Sequence, residues 1–405
     1  MAIPDGIGTI DTMIGFPHGD MKAVYEFITR QTRDRESKEE FEFPAEYMFK
    51  QVPEKEFVDA DDPVAVTVDA MDRVGIAQGM IGVDEISQEA MRRFPGRFFA
   101  SAECDPHAGV EGLRRLRRLK DEFDIKAVGC FPAGTFPQVP INDKLMYPIY
   151  ATCCELDIPI FCCAGVPGPR LKMNPQRVEL IDEVMYDFPE LVFVTRHGCE
   201  PWADLAVKLM IKWPNLYYST SAFAPKYYPK AIIDFANSRG ADKVMYAGYY
   251  PAGLTIERIF TEMQNVPLKD AVWPKFLREN AVKVFKLDDL QADAILETKL
   301  YRLAKLEIEK IRAELAEKRA AAKKIEAIVK RVPLPLPRLW LAALRNLGEP
   351  VDLEARARAQ GGTAVEIADV TGVARWEGPA TVTPAGDVER VLLPRSEEHT
   401  SELQS

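Results

Sequence analysis

The segment VFVTRHGCEPW, residues Val192–Trp202, carries the clearest indication of the fold class. It begins with a short run of β-branched and aromatic residues, which is typical of a buried parallel strand. Polar residues follow where such a strand would end. His197 stands at this point and is one of four histidines in 405 residues. We take it as the first candidate functional residue, because histidine can exchange a proton near neutral pH.

The same pattern of a strand followed by a helix continues on both sides of this stretch. Between residues 6 and 287, the sequence predicts eight short strands, most of them continuous apolar runs. They are Gly6–Ile14, Gly79–Val83, Arg97–Ala102, Ala127–Phe131, Pro159–Ala164, Leu191–Thr195, Leu216–Thr220 and Val244–Ala247. This alternation predicts an α/β fold, a (β/α)8 TIM barrel over residues 1–287. A doubly wound sheet is the alternative, which the lack of a glycine-rich loop after a strand disfavours.

Other segments interrupt or follow the predicted barrel. Residues 31–62 are highly charged but contain aromatic residues, so we predict an insertion that folds over another part of the protein. Residues 288–332 have the composition of one long helix. Its apolar heptad pattern predicts either a coiled coil, and hence a homo-oligomer, or a helix that lies on the barrel.

The last part of the chain gives less information. Residues 333–394 are interpreted as a proline-rich linker and an undefined tail in which no core can be placed. Residues 395–405, RSEEHTSELQS, resemble a translated sequencing adapter. We therefore leave them out of reasoning about fold and function.

Composition and charge argue against several classes of function. The formal net charge of −10 is the wrong sign for a protein that binds the phosphates of nucleic acids. No apolar run reaches about 18 residues, so no membrane span is predicted. Met1–Gly8 lacks the layout of a signal peptide. Seven cysteines without an export signal predict reduced thiols and a cytoplasmic location.

Polar and thiol side chains are concentrated where the predicted strands end. In a barrel of this type, catalytic groups come from the carboxyl ends of the strands. Four of these ends in succession carry a cysteine, and we expect the four thiols to share the barrel mouth with His197. These are Cys104, Cys130, Cys163 and Cys199.

Several segments together resemble the amidohydrolase-related family, which comprises metal-dependent hydrolases and decarboxylases with (β/α)8 barrels. The resemblance covers residues 7–287 approximately and depends on the order and spacing of the segments. The segments are Ile10-Asp11, FPGRFFASAECDP at 94–106, INDKLMYPIYATCCELDIPIF at 141–161, RHGCEPW at 196–202, YAGYYP at 246–251 and ENAVKVFKL at 279–287.

The resemblance implies a metal site, but the sequence departs from the family pattern at the ligands. Met13 and Gly15 stand where the first-strand histidines are expected. Cys163 replaces the histidine of strand five, and Tyr249 replaces the aspartate of strand eight. Only His197 remains. A catalytic zinc needs about three protein ligands, so we expect no metal cofactor. Zinc held by cysteine and histidine is the alternative.

The residues that remain are suited to acid–base chemistry without a metal. We expect His197 to act as acid or base, Tyr249 as a proton donor and Cys163 as a nucleophile. Glu103 and Asp11 are candidate partners of His197, and Arg196 could hold a substrate carboxylate.

The resemblance implies hydrolysis or decarboxylation of a small organic substrate that is cyclic or carries a carboxylate. The competing hypothesis is a non-catalytic relative that serves as a scaffold or binding subunit. In that case, the segment 288–332 would provide association with itself or with a partner.

Overall fold

The structure is a computed structural model that describes residues 3–4, 6–17, 21–49 and 60–287. The chain divides into two compact units, Met1–Tyr301 and Arg302–Ser405, and all described residues belong to the first. The predicted long helix, the proline-rich tail and the adapter-like segment lie outside the described residues. So do His18 and residues 50–59 of the predicted insertion.

Eight parallel strands form one sheet in their sequence order. They are β1 (Thr9–Asp11), β2 (Ile76–Ile81), β3 (Phe98–Glu103), β4 (Ala127–Cys130), β5 (Ile160–Cys163), β6 (Phe193–Arg196), β7 (Leu216–Ser219) and β8 (Val244–Met245).

Ten α-helices occur within the described residues. They are α1 (Met21–Thr29), α2 (Pro63–Val74), α3 (Glu85–Arg93), α4 (Gly109–Phe123), α5 (Tyr147–Glu155), α6 (Leu180–Asp187), α7 (Ala203–Lys212), α8 (Lys230–Ala236), α9 (Ile256–Met263) and α10 (Asn280–Phe285). In the described part of the chain, no helix is long and apolar enough to cross a membrane.

The first and last strands approach each other and bring the ends of the sheet together. Beyond β1 and β8, Ile14 forms a parallel bridge with Tyr250. The backbone N–H of Tyr249 donates to the carbonyl of Met13 at 2.8 Å. The strand order and the surrounding helices confirm the predicted (β/α)8 TIM barrel.

The barrel interior contains one apolar side chain from each strand. These residues are Ile10, Met80, Phe99, Ala127, Phe161, Val194, Tyr217 and Met245. At the end of the barrel where the strands begin, α10 adds Phe285, whose ring centroid lies 4.8 Å from that of Phe99 and 5.5 Å from that of Phe161. Burial of an aromatic side chain contributes about 1.5–3 kcal/mol, so α10 stabilises the barrel from below.

The alternation of side chains along each strand decides which residues reach the barrel mouth. Phe161 points into the interior and Cys162 packs in the layer between strands and helices. By the same alternation, Cys163 returns to the interior side at the end of β5. Glu103 and Arg196 hold the equivalent places at the ends of β3 and β6.

Residues 21–49, which we call the cap, lie over the mouth. The cap contains α1, for which the sequence gives no prediction, and residues 31–49 of the predicted insertion. Phe43 and Ala45 of the cap form a small apolar cluster with Ala252 and the ring of Tyr249. The Tyr47 hydroxyl donates to the Gly168 carbonyl at 2.6 Å, which joins the cap to the loop after β5.

Candidate active site

A cavity of about 550 Å³ lies between the cap and the carboxyl ends of the strands. Its walls are rich in aromatic side chains, and its lining also includes residues from the ends of β3, β5 and β6. The aromatic residues are Tyr25, Phe27, Phe43, Phe49, Phe131, Phe136, Phe223 and Tyr249. A cavity of this size and composition is typical of sites for small organic molecules.

An ion pair lies among the residues from the strand ends. Arg196 Nη1 donates to Glu103 Oε1 at 2.9 Å, and Arg196 Nη2 lies 3.6 Å from Met13 Sδ. The Arg196 side chain is 10% exposed, whereas that of Glu103 is 62% exposed. Both residues line the cavity. The pair therefore consists of a buried guanidinium and a carboxylate that remains open to its surroundings.

Arg196 stays charged although it is buried. Burial alone would lower the pKa of the guanidinium, but the adjacent Glu103 carboxylate raises it, and the net shift is upward. The Nε atom of Arg196 has no hydrogen-bond partner among the described residues. A fixed positive charge is thus present beside the cavity, with its Nε atom buried.

His197 is held in place by Ser221. The Ser221 Oγ accepts the backbone N–H of His197 at 3.1 Å and lies 3.2 Å from Nδ1 of the same residue. Burial, together with the charge of Arg196, lowers the pKa of His197 to about 3. The imidazole is therefore neutral at neutral pH, so it can donate or accept a hydrogen bond without carrying charge.

The backbone is strained at several residues of the mouth. His197, Ala222 and Tyr249 have backbone φ angles of 63°, 70° and 68°, which lie in a region that residues other than glycine rarely adopt. All three residues line the cavity. The rings of His197 and Tyr249 meet edge to face with centroids 5.0 Å apart. Strain of this kind is often found at functional sites, which supports a functional role for this pair.

Cys163 lines the cavity as a protonated thiol. Burial raises its pKa to about 12, against the opposing influence of Arg196. It has no hydrogen bond to His197 in the part of the chain that the structure describes. A nucleophilic role would need a thiolate, which this environment disfavours.

The expectation that four cysteines share the mouth is only partly met. Cys104 and Cys163 line the cavity, whereas Cys130 and Cys199 do not. Cys130 and Cys199 are fully buried in the core layer between the strands and the helices. Side-chain alternation accounts for Cys130 and Cys163, because only every second residue of a strand faces the barrel interior. Cys104 and Cys199 lie beyond the ends of β3 and β6, so the strand pattern does not place them.

Asp11 is separated from the other candidate residues and does not line the cavity. Its Oδ1 accepts the backbone N–H groups of Met13 at 3.0 Å and Gly248 at 2.9 Å. Burial raises the pKa of Asp11 to about 7, although these backbone donors lower it. Asp11 thus joins the chain after β1 to the chain after β8.

The donor set of this site does not match that of a divalent metal ion. The five positions that the family pattern assigns to ligands hold a thioether, a glycine, a thiol, an imidazole and a phenol. A guanidinium contacts the thioether of Met13 and lies close enough to Cys163 and Tyr249 to interact electrostatically with both. Among the described residues, no group of three or more His, Cys, Asp or Glu side chains could hold a metal ion.

Three further residues of the cavity were not identified from the sequence. Arg30 lies at the end of α1, His107 follows β3, and Gln176 lies in the loop before α6. Gln176 is fully buried and its amide bonds the backbone of Ala133 and Gly165. All three are loop or cap residues, for which strand patterns give no signal. His107 could have been identified only from its position two residues after the segment Glu103–Asp105 at the end of β3.

Comparison with known proteins supports the family resemblance. The amidohydrolase family model matches residues 10–287. An uncharacterised TIM-barrel protein from Bordetella bronchiseptica is 21% identical and superposes with a TM-score of 0.56, over 69% of this chain and 98% of that chain. A comparison with curated protein sequences gives no significant match.

Two further solved structures share the fold. A 5-carboxyvanillate decarboxylase from Novosphingobium aromaticivorans, solved with bound manganese, is 18% identical with a TM-score of 0.51, over 71% of this chain and 100% of that chain. A 5-carboxyvanillate decarboxylase from Sphingomonas paucimobilis is 12% identical with a TM-score of 0.50, over 70% of this chain and 100% of that chain. The family model matches residues 10–287, and the eight parallel strands have the order of a TIM barrel. The chain therefore belongs to the amidohydrolase family.

Proposed function

We propose that the protein is an enzyme that acts on a small organic carboxylate with an aromatic or other ring, by hydrolysis or decarboxylation. The observation that carries this proposal is the capped cavity of about 550 Å³ at the strand ends, with aromatic walls and a polar group of Glu103, Arg196 and His197. Active sites of (β/α)8 enzymes lie at this face.

The walls of the cavity suit a planar ring. Phe43, Phe131 and Phe223 belong to different segments of the chain, so aromatic faces are available from several directions. Aromatic pairs in offset or edge-to-face contact contribute about 0.5–1.5 kcal/mol beyond the burial of area. The cap also covers the site, which would limit access of water to a reacting group. The two neighbours named as 5-carboxyvanillate decarboxylases supply a ring-bearing carboxylate as the first substrate class to test.

The polar residues have distinct roles in this proposal. Arg196 binds the carboxylate, and Tyr249 provides a hydroxyl group for hydrogen bonding near the ring of the substrate. His197 acts as a neutral hydrogen-bonding group, since a pKa of about 3 keeps it from exchanging protons near neutral pH. This replaces the role of acid or base that the sequence suggests for His197.

One observation favours a second candidate function, a binding protein without catalysis. The pKa of His197 is lowered to about 3 and that of Cys163 is raised to about 12. General acids and bases work best when their pKa lies near the working pH. The same cavity would then bind its ligand and release it unchanged.

An assay of turnover and binding on the same samples tests the proposal. The purified protein is incubated with a panel of benzoates and cyclic amides, products are identified by mass spectrometry, and binding is measured by calorimetry. We expect product from at least one ring-bearing carboxylate. We also expect a loss of rate of about 100-fold in His197→Gln, with Arg117→Met, at an exposed ion pair outside the cavity, as the control. Binding without product across the panel would support the binding protein, and neither binding nor product would contradict both functions.

A further inference from the structure

We propose that the guanidinium of Arg196 replaces the metal ion of this family as the cationic centre of the site and holds the anionic group of the ligand directly. This inference deepens the proposed function, on which it rests for the identity of the substrate. Its core, an anion site that requires Arg196 and no metal, can be tested without turnover.

The position of the guanidinium is the first argument. It contacts Met13, which stands where the family pattern has a ligand, with 3.6 Å between Nη2 and Sδ. It also interacts electrostatically with Cys163 and Tyr249, which hold two other ligand positions. A divalent cation in this place would meet a fixed positive charge, and like charges at contact distance repel strongly in a buried site.

The charge balance at Arg196 is the second argument. Among the described residues, Arg196 forms a salt bridge with Glu103 at 2.9 Å, and the Glu103 side chain is 62% exposed. A guanidinium has five N–H donors in a planar fork. Here, Nη1 donates to Glu103, Nη2 contacts a thioether, and Nε has no hydrogen-bond partner in the described part of the chain. Nε is buried, but Nη1 and Nη2 each carry two N–H groups, so the guanidinium keeps Nη donors for a second carboxylate.

The chemical identity of the cation is the third argument. An arginine can bind a carboxylate with two parallel hydrogen bonds, which a metal-free site needs in order to fix the orientation of the ligand. Burial strengthens this interaction because the local dielectric is lower than in water. Arg196 lines the cavity, so an anion that enters from the mouth can reach it.

Glu103 should compete with the ligand for the guanidinium. Its carboxylate already occupies Nη1, so an incoming anion must share or displace it. Removal of the Glu103 charge should therefore strengthen anion binding, whereas removal of the Arg196 charge should abolish it. These opposite directions distinguish an anion site at Arg196 from a general loss of folding.

The test uses benzoate as the probe and the full chain. Calorimetry is performed on protein treated with a chelator, and again after addition of Zn²⁺ or Mn²⁺. We expect benzoate to bind the chelator-treated wild type with an affinity that added metal does not raise. We expect Arg196→Met to lose at least 10-fold in affinity, Arg196→Lys to lose less, and Glu103→Gln to gain several-fold. Arg117→Met, at an exposed ion pair with Glu155, is the matched control and should bind as wild type does.

The outcomes separate this inference from the proposed function. The inference is overturned if wild type does not bind benzoate, if binding requires metal, if Arg196→Met binds like wild type, or if Glu103→Gln weakens binding. Should Arg196→Met fail to fold, the Glu103→Gln variant and the metal titration still decide the question. Turnover that depends on a metal and not on Arg196 would contradict this inference alone. Benzoate binding that depends on Arg196, without turnover of any substrate, would contradict the proposed enzyme alone.

Discussion

Ser221 contacts His197 twice, because its Oγ accepts the backbone N–H of His197 at 3.1 Å and lies 3.2 Å from Nδ1 of the ring. Ser221 is fully buried. A buried hydroxyl group that lacks an acceptor lowers the free energy of unfolding by about 1–3 kcal/mol. The Nδ1 atom of His197, 3.2 Å away, can be this acceptor. If the hydroxyl donates to Nδ1, the ring proton must reside on Nε2.

The first prediction concerns this tautomer. In wild type, we expect nitrogen NMR of the side chain to show His197 as the neutral form protonated at Nε2. Ser221→Ala removes the donor to Nδ1, so the Nδ1-protonated form should become populated. Ser219→Ala is the matched control, since Ser219 is also buried near the end of β7 but its Oγ makes no hydrogen bond in the described part of the chain. An unchanged tautomer in Ser221→Ala would contradict the assignment.

The second prediction concerns Asp11 and the dependence of stability on pH. Burial raises the pKa of Asp11 to about 7, whereas an aspartate in an unfolded chain titrates near pH ~3.9. Between these values, the folded state keeps a proton that the unfolded state releases. The contribution of Asp11 to the free energy of unfolding is therefore fully present below about pH 4 and is lost as the pH rises through about 7.

Asp11→Asn removes this titration and keeps the oxygen that accepts the N–H groups of Met13 and Gly248. One pKa unit corresponds to about 1.4 kcal/mol. We therefore expect the loss of unfolding free energy between about pH 5 and about pH 8 to be smaller in the variant by more than about 1 kcal/mol. Urea unfolding at the two pH values measures it. Parallel pH profiles for wild type and variant would show that Asp11 does not titrate as argued.

The third prediction uses the space around Gly129. A Cβ atom at this position would overlap the carboxylate of Glu103, which is the far end of a flexible side chain. Gly129→Ala should therefore displace Glu103 from Arg196, strengthen the binding of benzoate several-fold, and lower the free energy of unfolding by less than about 1 kcal/mol.

Gly82→Ala is the matched control for Gly129→Ala, because a Cβ on Gly82 would make only ordinary contacts, the nearest at 3.6 Å from Asp84 Oδ2. Calorimetry with benzoate and thermal unfolding are measured on both variants. Similar affinities for benzoate in both variants would mean that the position of Glu103 does not affect anion binding by the Arg196 guanidinium.

The fourth prediction concerns the attachment of the cap. Arg170, in the loop after β5, donates to Asp34 at 2.5 Å and to Glu36 at 2.8 Å. Its guanidinium also lies over the ring of Tyr47, 4.7 Å from the centroid. Arg170→Ala should loosen the cap, so we expect faster amide hydrogen exchange in residues 34–47 and faster release of a bound ligand.

Arg117→Ala is a suitable control for Arg170→Ala. Arg117 also makes two hydrogen bonds to a carboxylate, at 3.1 and 2.7 Å from Glu155, but it joins α4 to α5 at the outside of the barrel. Hydrogen exchange in the cap should be the same in this variant as in wild type. Equal exchange rates in Arg170→Ala and wild type would rule out a role for Arg170 in holding the cap.

The fold could be predicted because buried parallel strands have a strong signature in sequence. Runs such as Pro159–Ala164 and Leu191–Thr195 are continuous, apolar and short, and the bounds of β5 and β6 in the structure lie within two residues of them. The predicted bounds of helices are less accurate where a side chain forms tertiary hydrogen bonds near the end of the helix. For α6, the sequence predicts a helix over Pro175–Asp187, whereas the helix of the structure begins at Leu180, because Gln176 is buried and donates from its amide to the Gly165 carbonyl in the loop after β5.

The site was harder to predict because strands that are buried on both faces do not reveal which residues point inward. Cys130 and Cys163 both end apolar runs, yet only Cys163 lines the cavity. Asp11 lies beside an irregularity of the β1–β2 register and was placed in the mouth by its position alone. The cap was recognised only in part, since α1 is a short helix of nine residues whose burial depends on contacts distant in sequence.

The position of α10 has a consequence for protein synthesis. Phe285 packs on Phe99 and Phe161, which lie far earlier in the chain, in β3 and β5. A nascent chain on the ribosome therefore carries most of its strands before this ring becomes available. During that interval, the lower end of the barrel exposes apolar surface, a state that is prone to aggregation. The lower end of the barrel is therefore completed only when the last helix, α10, has left the ribosome.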